Sequence, residues 1–266
     1  MIRLIASDMD GTLLDENGKV PEETFDLIHQ LHEKGVTFVA SSGRRYNTLR
    51  WFFEPVADEM DYVASLGTEV YADGKLLDRE VFSYGSILRL FETCAPFDCL
   101  HLALHDEQRT FLLDDLSEYV RENDKDLPNA ERVDDPPSAD TCIIKASICC
   151  ERPKDIMDMA YVLERELGDL FTFMPSGEKW IDVTPSYVNK ATGLDQVLRY
   201  RGIDAADVMC FGDSMNDYQI LRHVGHPVVM ANARYAVRQT AGARIAGTNA
   251  EHAVQAIMRE VLEGLE

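Results

Sequence analysis

The chain has 266 residues, 45% hydrophobic and 27% charged, which excludes an intrinsically disordered polypeptide and allows either one large α/β domain or a core with a smaller inserted one. Lys and Arg number 26 against 47 Asp and Glu, a formal net charge of -21. That balance repels nucleic acid and anionic membrane surfaces, so neither is expected as a partner, and a phosphate ester would need a local cationic pocket or a metal ion.

Residues Met1-Ile2-Arg3-Leu4-Ile5-Ala6-Ser7 precede Asp8 directly, too few for a signal peptide, and no apolar stretch nears the ~18 residues of a membrane span. A cytoplasmic protein, monomeric or homodimeric, is expected. The six cysteines form no C-x-x-C pair, and the alternation of residues 142–150 reads as burial in a strand rather than a disulfide or zinc framework.

Ile2 to Ser7 is a short apolar run that predicts a strand buried on both faces. Phe25, Ile28 and Leu31 recur at helical spacing between Glu22 and Lys34, and Gly35 supplies the stop. A strand over 37–41, a helix over 44–53 and a strand over 62–65 follow. This rhythm predicts a parallel sheet with right-handed crossovers. Residues 69–77 then read as a hairpin turning at Asp73-Gly74.

Between about 82 and 184 the order changes to helix, two adjacent strands, helix, strand, helix, two strands. The adjacent pairs are 99–105 with 109–113 and 170–173 with 180–183, and 134–138 is a loop. Short links between adjacent strands predict antiparallel pairing in a separate α/β module. The first rhythm returns with a helix over 190–201, a strand over 208–211, a helix over 217–223, a strand over 227–230 and an amphipathic helix over 253–262. The expected fold is α/β: a doubly wound, parallel, Rossmann-like sheet core (1–82 and 185–266) with an inserted α/β cap domain (83–184).

Asp8-Met9-Asp10-Gly11-Thr12 ends the first strand, and ligands of open α/β sheets bind beyond the carboxyl ends of strands. Two carboxylates there are costly unless a cation and a phosphoryl group use them. Gly11 would allow the turn that aims both acids at one point. Gly212-Asp213-Ser214-Met215-Asn216-Asp217 brings more acids to a second strand end. A helix starting there would put Asp213 and Asp217 on one face, Asp213 as a metal ligand and Asp217 holding a lysine. Ser42-Gly43-Arg44 follows the second strand, where a hydroxyl can donate to a phosphoryl oxygen, and Lys190 opens the helix after the insertion.

At these residues the chain resembles the haloacid-dehalogenase superfamily, specifically its Cof-type phosphatases with an inserted α/β cap. The resemblance covers essentially the whole length. It rests on Asp8-x-Asp10-Gly11-Thr12, Ser42-Gly43-Arg44, Lys190 and Gly212-Asp213-Ser214-x-Asn216-Asp217 in order, with the insertion between the second and third.

The resemblance implies a Mg2+-dependent phosphate-monoester hydrolase acting on a small phosphorylated metabolite. Asp8 would attack phosphorus, and Asp10 would protonate the leaving alcohol and then activate water. Magnesium would be held by Asp8, the Asp10 carbonyl and Asp213. Ser42 and Lys190 would bind phosphoryl oxygens, Asn216 would support the site, and Asp217 would orient Lys190. Thr12, Gly43, Arg44 and Asn232 join the substrate-binding candidates.

The chain departs from the group's pattern at Leu66 in Ser65-Leu66-Gly67, where Asn is usual, at Ala231 in Met230-Ala231-Asn232-Ala233, and at His252-Ala253, where an Asp-Gly pair is usual. These changes bear on substrate identity. In the cap, alternation sets His101, Ala103 and His105 opposite the leucines at 100, 102 and 104, and Lys145 and Ser147 opposite Ile144, Ala146 and Ile148. His101, His105 and Lys145 are therefore candidates to contact the substrate's leaving group, with a solvated sheet face as the competing reading. A phosphomutase, or a non-catalytic regulator on the same fold, are the alternative functions.

Overall fold

The computed structural model describes residues 1–113, 130–177 and 179–265. They form two compact units, Met1–Arg79 with Asn189–Glu266, and Glu80–Val188.

The core opens with β1 (Leu4–Ser7), buried at every position, as a strand with neighbours on both sides and helices on both faces must be. A short irregular turn over Met9–Leu13 follows, in which Asp10 and Gly11 leave helical geometry. Next come α1 (Glu23–Glu33), β2 (Thr37–Ser41), α2 (Tyr46–Phe52) and β3 (Met60–Ala64). The first segment ends in the hairpin β4 (Glu69–Ala72) and β5 (Lys75–Arg79), which turns at Asp73 and Gly74, both at positive φ.

The second unit contains α3 (Tyr84–Cys94), β6 (Leu100–His105), β7 (Thr110–Leu112), β8 (Ala130–Arg132), β9 (Lys145–Cys150), α4 (Ile156–Leu167), β10 (Phe171–Ser176) and β11 (Trp180–Pro185). The core then resumes with α5 (Lys190–Arg201), β12 (Val208–Gly212), α6 (Tyr218–His223), β13 (His226–Val229), α7 (Tyr235–Arg238), β14 (Arg244–Ile245) and α8 (Ala253–Glu263).

The core sheet has the order β14-β13-β12-β1-β2-β3-β4-β5. Pairing is parallel from β14 to β3 and antiparallel through the β3-β4-β5 edge. Early strands lie to one side of β1 and late strands to the other, so the winding reverses at β1. That is the switch point at which doubly wound sheets hold ligands. Helices cover the sheet as two sets, α1 touching α8 and α5 touching α6.

The cap sheet runs β10-β11-β9-β6-β7-β8. Leu100, Leu102, Leu104, Ala146, Ile148, Ile181 and Val183 share one core with Ile87 and Leu90 of α3 and Leu163 of α4. The predicted alternation thus places that face against the two helices.

Three details differ from the sequence reading. The domain edges fall at Arg79/Glu80 and Val188/Asn189. Phe82 belongs to the cap core and donates its N–H to the Ile143 carbonyl, while Ser186 and Val188 bond back into cap residues. The strand expected from Cys142 starts only at Lys145, because Ile143 is held in a turn by Thr141, and Cys142 is exposed. None of the six cysteines is in a disulfide. The short strands β8 and β14 were not foreseen, and the helix expected between the strand ending at 113 and the loop at 134–138 lies outside the described residues.

Candidate active site

Pairing of β1 with β12 brings the acids together. Ser7 lies beside Phe211, and the Asp8 N–H donates to the Phe211 carbonyl at 3.0 Å, so Asp8 sits level with Gly212, one residue before Asp213. Carboxylate oxygens of Asp8, Asp213 and Asp217 all lie within 4.8 Å of one another.

Against the expectation from their spacing, Asp213 and Asp217 do not share a helix face. A 3₁₀ turn over Met215–Asp217 intervenes, and Asp217 folds back so that Oδ2 accepts from the N–H groups of Asp213 and Ser214 at 3.1 and 3.0 Å. Residues that cap their own backbone favour such turns over a helix interior.

Lys190 crosses to this cluster from the first position of α5. Its fully buried ammonium donates to Asp8 Oδ1 and Asp217 Oδ1, both at 2.6 Å. Two local features place it. Asn189 caps the helix, its side-chain oxygen accepting from the N–H groups of Ala191 and Thr192. Gly67, at φ +103°, lets the loop after β3 press on the helix start, since a Cβ there would fall 2.4 Å from the Asn189 carbonyl oxygen.

Among the described residues, the charges within this cluster do not balance, although Arg234 acts weakly on Asp213 from outside it. With all groups ionised, three carboxylates face one ammonium. Burial, with repulsion from Asp217 and Asp213, pushes the Asp8 carboxyl well above the usual range, and Lys190 opposes this. Burial and Asp217 push Asp213 up to about 6. Burial opposes the charge on Lys190, yet Asp217 and Asp8 outweigh it and hold the ammonium above its ordinary value.

Thr12 is buried and points its hydroxyl at Asp213 Oδ1 at 3.4 Å. Gly11 lies against the same carboxylate, where a Cβ would come within 2.6 Å of Asp213 Oδ2, and its φ of +78° suits glycine. Gly11→Ala is therefore expected to cost about 1–3 kcal/mol through strain and clash. It should also lower catalytic activity by more than tenfold, because the displaced group is Asp213; thermal denaturation and steady-state rates check both effects.

Ser42 is buried, and its Oγ accepts the Arg44 N–H at 3.2 Å, leaving the hydroxyl proton for another acceptor. Gly43 lies between them in the same turn. Asp10 stands apart from the acidic cluster. Its side chain is 60% exposed and is gripped by Arg44 through two bonds of 2.9 and 2.6 Å.

The loop behind Ser42 is braced by Ser65 and Leu66, whose N–H groups donate to the carbonyls of Arg44 and Ser42. Leu66 holds φ 60°, a left-handed conformation that asparagine tolerates better than leucine, so this departure carries backbone strain of about 1 kcal/mol. His252, the other departure, also sits at positive φ, 52°.

Asn216 accepts the Ser214 hydroxyl at 2.8 Å. Asn232, read from sequence as a substrate contact, uses its side-chain N–H to hold the Gly11 carbonyl at 2.7 Å and its oxygen to accept the Asn249 N–H. It thereby anchors the turn that follows β1. Asn249, which also holds the Leu14 carbonyl, was missed, since a single asparagine after a turn carries no sequence signal.

In the cap, His101, His105 and Lys145 lie on the sheet face opposite the helices. His101 Nε2 is 3.0 Å from Glu151, His105 Nδ1 2.9 Å from the Thr110 hydroxyl, and Lys145 3.2 Å from Asp182. The histidines are buried, not solvated.

Comparison with known proteins accords with this fold. The family described as haloacid dehalogenase-like hydrolase matches residues 5–258. The 5-amino-6-(5-phospho-D-ribitylamino)uracil phosphatase YbjI of Escherichia coli K12 is 30% identical over 98% of this chain and 97% of its own. The HMP-PP phosphatase of Yersinia pestis (strain Pestoides F) is 28% identical over 90% of this chain and 87% of its own. In fold, SMU.1108c of Streptococcus mutans UA159 superposes with a TM-score of 0.91 at 22% identity, covering 99% of this chain and all of that one. The chain belongs to the haloacid dehalogenase-like hydrolases, within their Cof-type phosphatases.

Proposed function

We propose that the protein is a magnesium-dependent phosphate-monoester hydrolase that works through an aspartyl-phosphate on Asp8. Its substrate would be a small phosphorylated metabolite, a sugar phosphate or a compound of that kind. The observation that carries this reading is the cluster of Asp8, Asp213 and Asp217 around one buried lysine. Relatives whose names specify a phosphoribityl compound and HMP-PP support the substrate class.

The residues fit a magnesium ion. Their donors are hard carboxylate oxygens, and the two surplus negative charges equal the charge of one divalent cation. Lys190 and backbone N–H groups engage both oxygens of Asp217, so Asp8 and Asp213 are the side chains to hold the ion. When bound, it would add positive charge against the phosphoryl oxygens.

Asp8 attacks phosphorus, and Lys190 and the Ser42 hydroxyl take up charge on the transferring group. Asp10 gives a proton to the departing oxygen, then takes one from the water that cleaves the acyl phosphate. Splitting the reaction this way lowers each barrier. The polar cap face with His101, His105 and Lys145 supplies the candidates for choosing among leaving groups. A phosphate-release screen over a metabolite panel, with and without magnesium, tests the reading. Free phosphate in solution separates hydrolysis from return of the phosphoryl group to the sugar, and no release from any ester would sink the proposal.

The metal carries its own test. A carboxyl raised from 3.8 to about 6 on folding binds more protons in the folded state, so the metal-free protein loses stability as pH rises from about 4 through 6. The loss from Asp213 is of order 1–3 kcal/mol. Metal-free Tm is expected to be lower at pH 7.5 than at pH 5 for this reason. Millimolar magnesium at constant ionic strength should raise it at pH 7.5 in the wild type but not in Asp213→Asn.

A further inference from the structure

Asp10 has no fixed place of its own. It occupies a turn residue outside helical geometry (φ −76°, ψ 120°), beside a glycine, with most of its side chain exposed. A carboxyl group so placed samples several rotamers unless something holds it. Arg44 grips it in a fork, Nε to Oδ2 and Nη2 to Oδ1, the planar two-bond geometry that a lysine cannot reproduce.

Arg44 is in turn held at several points. Its guanidinium carbon lies 5.0 Å from the centre of the Phe52 ring. Its own N–H is bonded to Ser42 Oγ and its carbonyl accepts from the Ser65 N–H. The turn that presents Ser42 thus also fixes the orientation of Asp10.

We propose that Arg44 is a positioning residue that sets the carboxyl group of Asp10 for proton transfer, a role that rests on the hydrolase reading above. In the first step a bond forms between Asp8 and phosphorus while the bond from phosphorus to the leaving oxygen breaks. The electron pair stays on that oxygen, and the proton of Asp10 joins it. This leaves Asp10 as the carboxylate that Arg44 holds. In the second step that carboxylate takes a proton from the attacking water, and Asp8 departs from phosphorus. A sugar alkoxide is a strong base and needs the proton to leave. A nitrophenolate leaves without it.

Loss of Arg44 should therefore separate substrates by leaving group. The experiment measures kcat/KM for the best sugar phosphate of the panel and for p-nitrophenyl phosphate, a ratio that counts steps only through phosphorylation of Asp8. In Arg44→Met the sugar phosphate is expected to lose roughly 10²-fold and the nitrophenyl ester less than about tenfold. Arg44→Lys should recover only part of the difference. Phe52→Leu, which keeps Arg44 and removes the ring beneath it, should shift the ratio the same way by less and provides a second route if Arg44→Met does not fold. On an Asp10→Asn background Arg44→Met should add no more than about twofold. Equal losses on both esters would place Arg44 on the phosphoryl group and overturn the proposal, as would unchanged rates on both. If the wild type releases phosphate from neither ester, the hydrolase reading falls, and the positioning role falls with it.

Discussion

Replacing Asp8 by Asn is expected to reduce phosphate release by about 10³-fold or more while leaving the protein at least as stable as before. On the proposed mechanism the loss follows from removing the attacking carboxylate: an amide oxygen at the same position still accepts from Lys190 but is a poor nucleophile. The stability side follows from the electrostatics. Burial pushes the Asp8 carboxyl up, and two neighbouring acids push it the same way, so its charge is a liability in the metal-free fold. Neutralising it removes repulsion against Asp213 and Asp217. Measured together, rate and Tm should move in opposite directions or only the rate should fall. A hydroxylamine-sensitive phosphoryl group trapped on residue 8 of the wild type, and absent from the variant, would tie the rate to the intermediate. A variant as active as the wild type would remove the covalent mechanism.

Lys190→Met has the largest expected effect on stability. Its ammonium is fully buried between two buried carboxylates, so truncation to a neutral chain leaves Asp8 and Asp217 uncompensated. Breaking a buried pair from one side costs about 3–5 kcal/mol. For a chain of this length that is a fall in Tm of roughly 10 °C. The sign with pH is also fixed. Lys190 is the charge that opposes the raised Asp8 value, so without it Asp8 binds its proton still more tightly in the folded state and the deficit grows as pH rises above the unfolded carboxylate range near 4. Denaturation of the variant at pH 5 and pH 8 should show the smaller loss at pH 5. In the wild type the lysine's contribution is complete at neutral pH, because its folded value lies above its unfolded one. A deficit independent of pH would mean that the ammonium acts by packing alone.

How much of this was legible in the sequence depends on the range of the interaction. Asp8, Asp213 and Lys190 could be read because each follows a strand end or opens a helix, and strand ends of one parallel sheet meet at one rim. The cap's alternation was readable for the same local reason: Leu100, Leu102 and Leu104 face its helices. What stayed hidden came from contacts that no spacing encodes. Asp217 turns back on its own backbone rather than joining a helix face with Asp213. Arg44 reaches 34 residues back to Asp10, and Asn232 reaches 221 residues back to the Gly11 carbonyl. Two-residue β14 and three-residue β8 are too short to show a period.

The order of strands in the core has a consequence for synthesis. β1 lies between β2, which follows it closely, and β12, which begins about two hundred residues later. Were the early strands to pair while the ribosome makes the intervening segment, β1 would be left as an open apolar edge, a surface that invites pairing with other nascent chains. At roughly 5–20 residues per second that interval lasts on the order of ten seconds or more. Chaperone occupancy of the nascent polypeptide should peak in that window and drop once β12 has emerged.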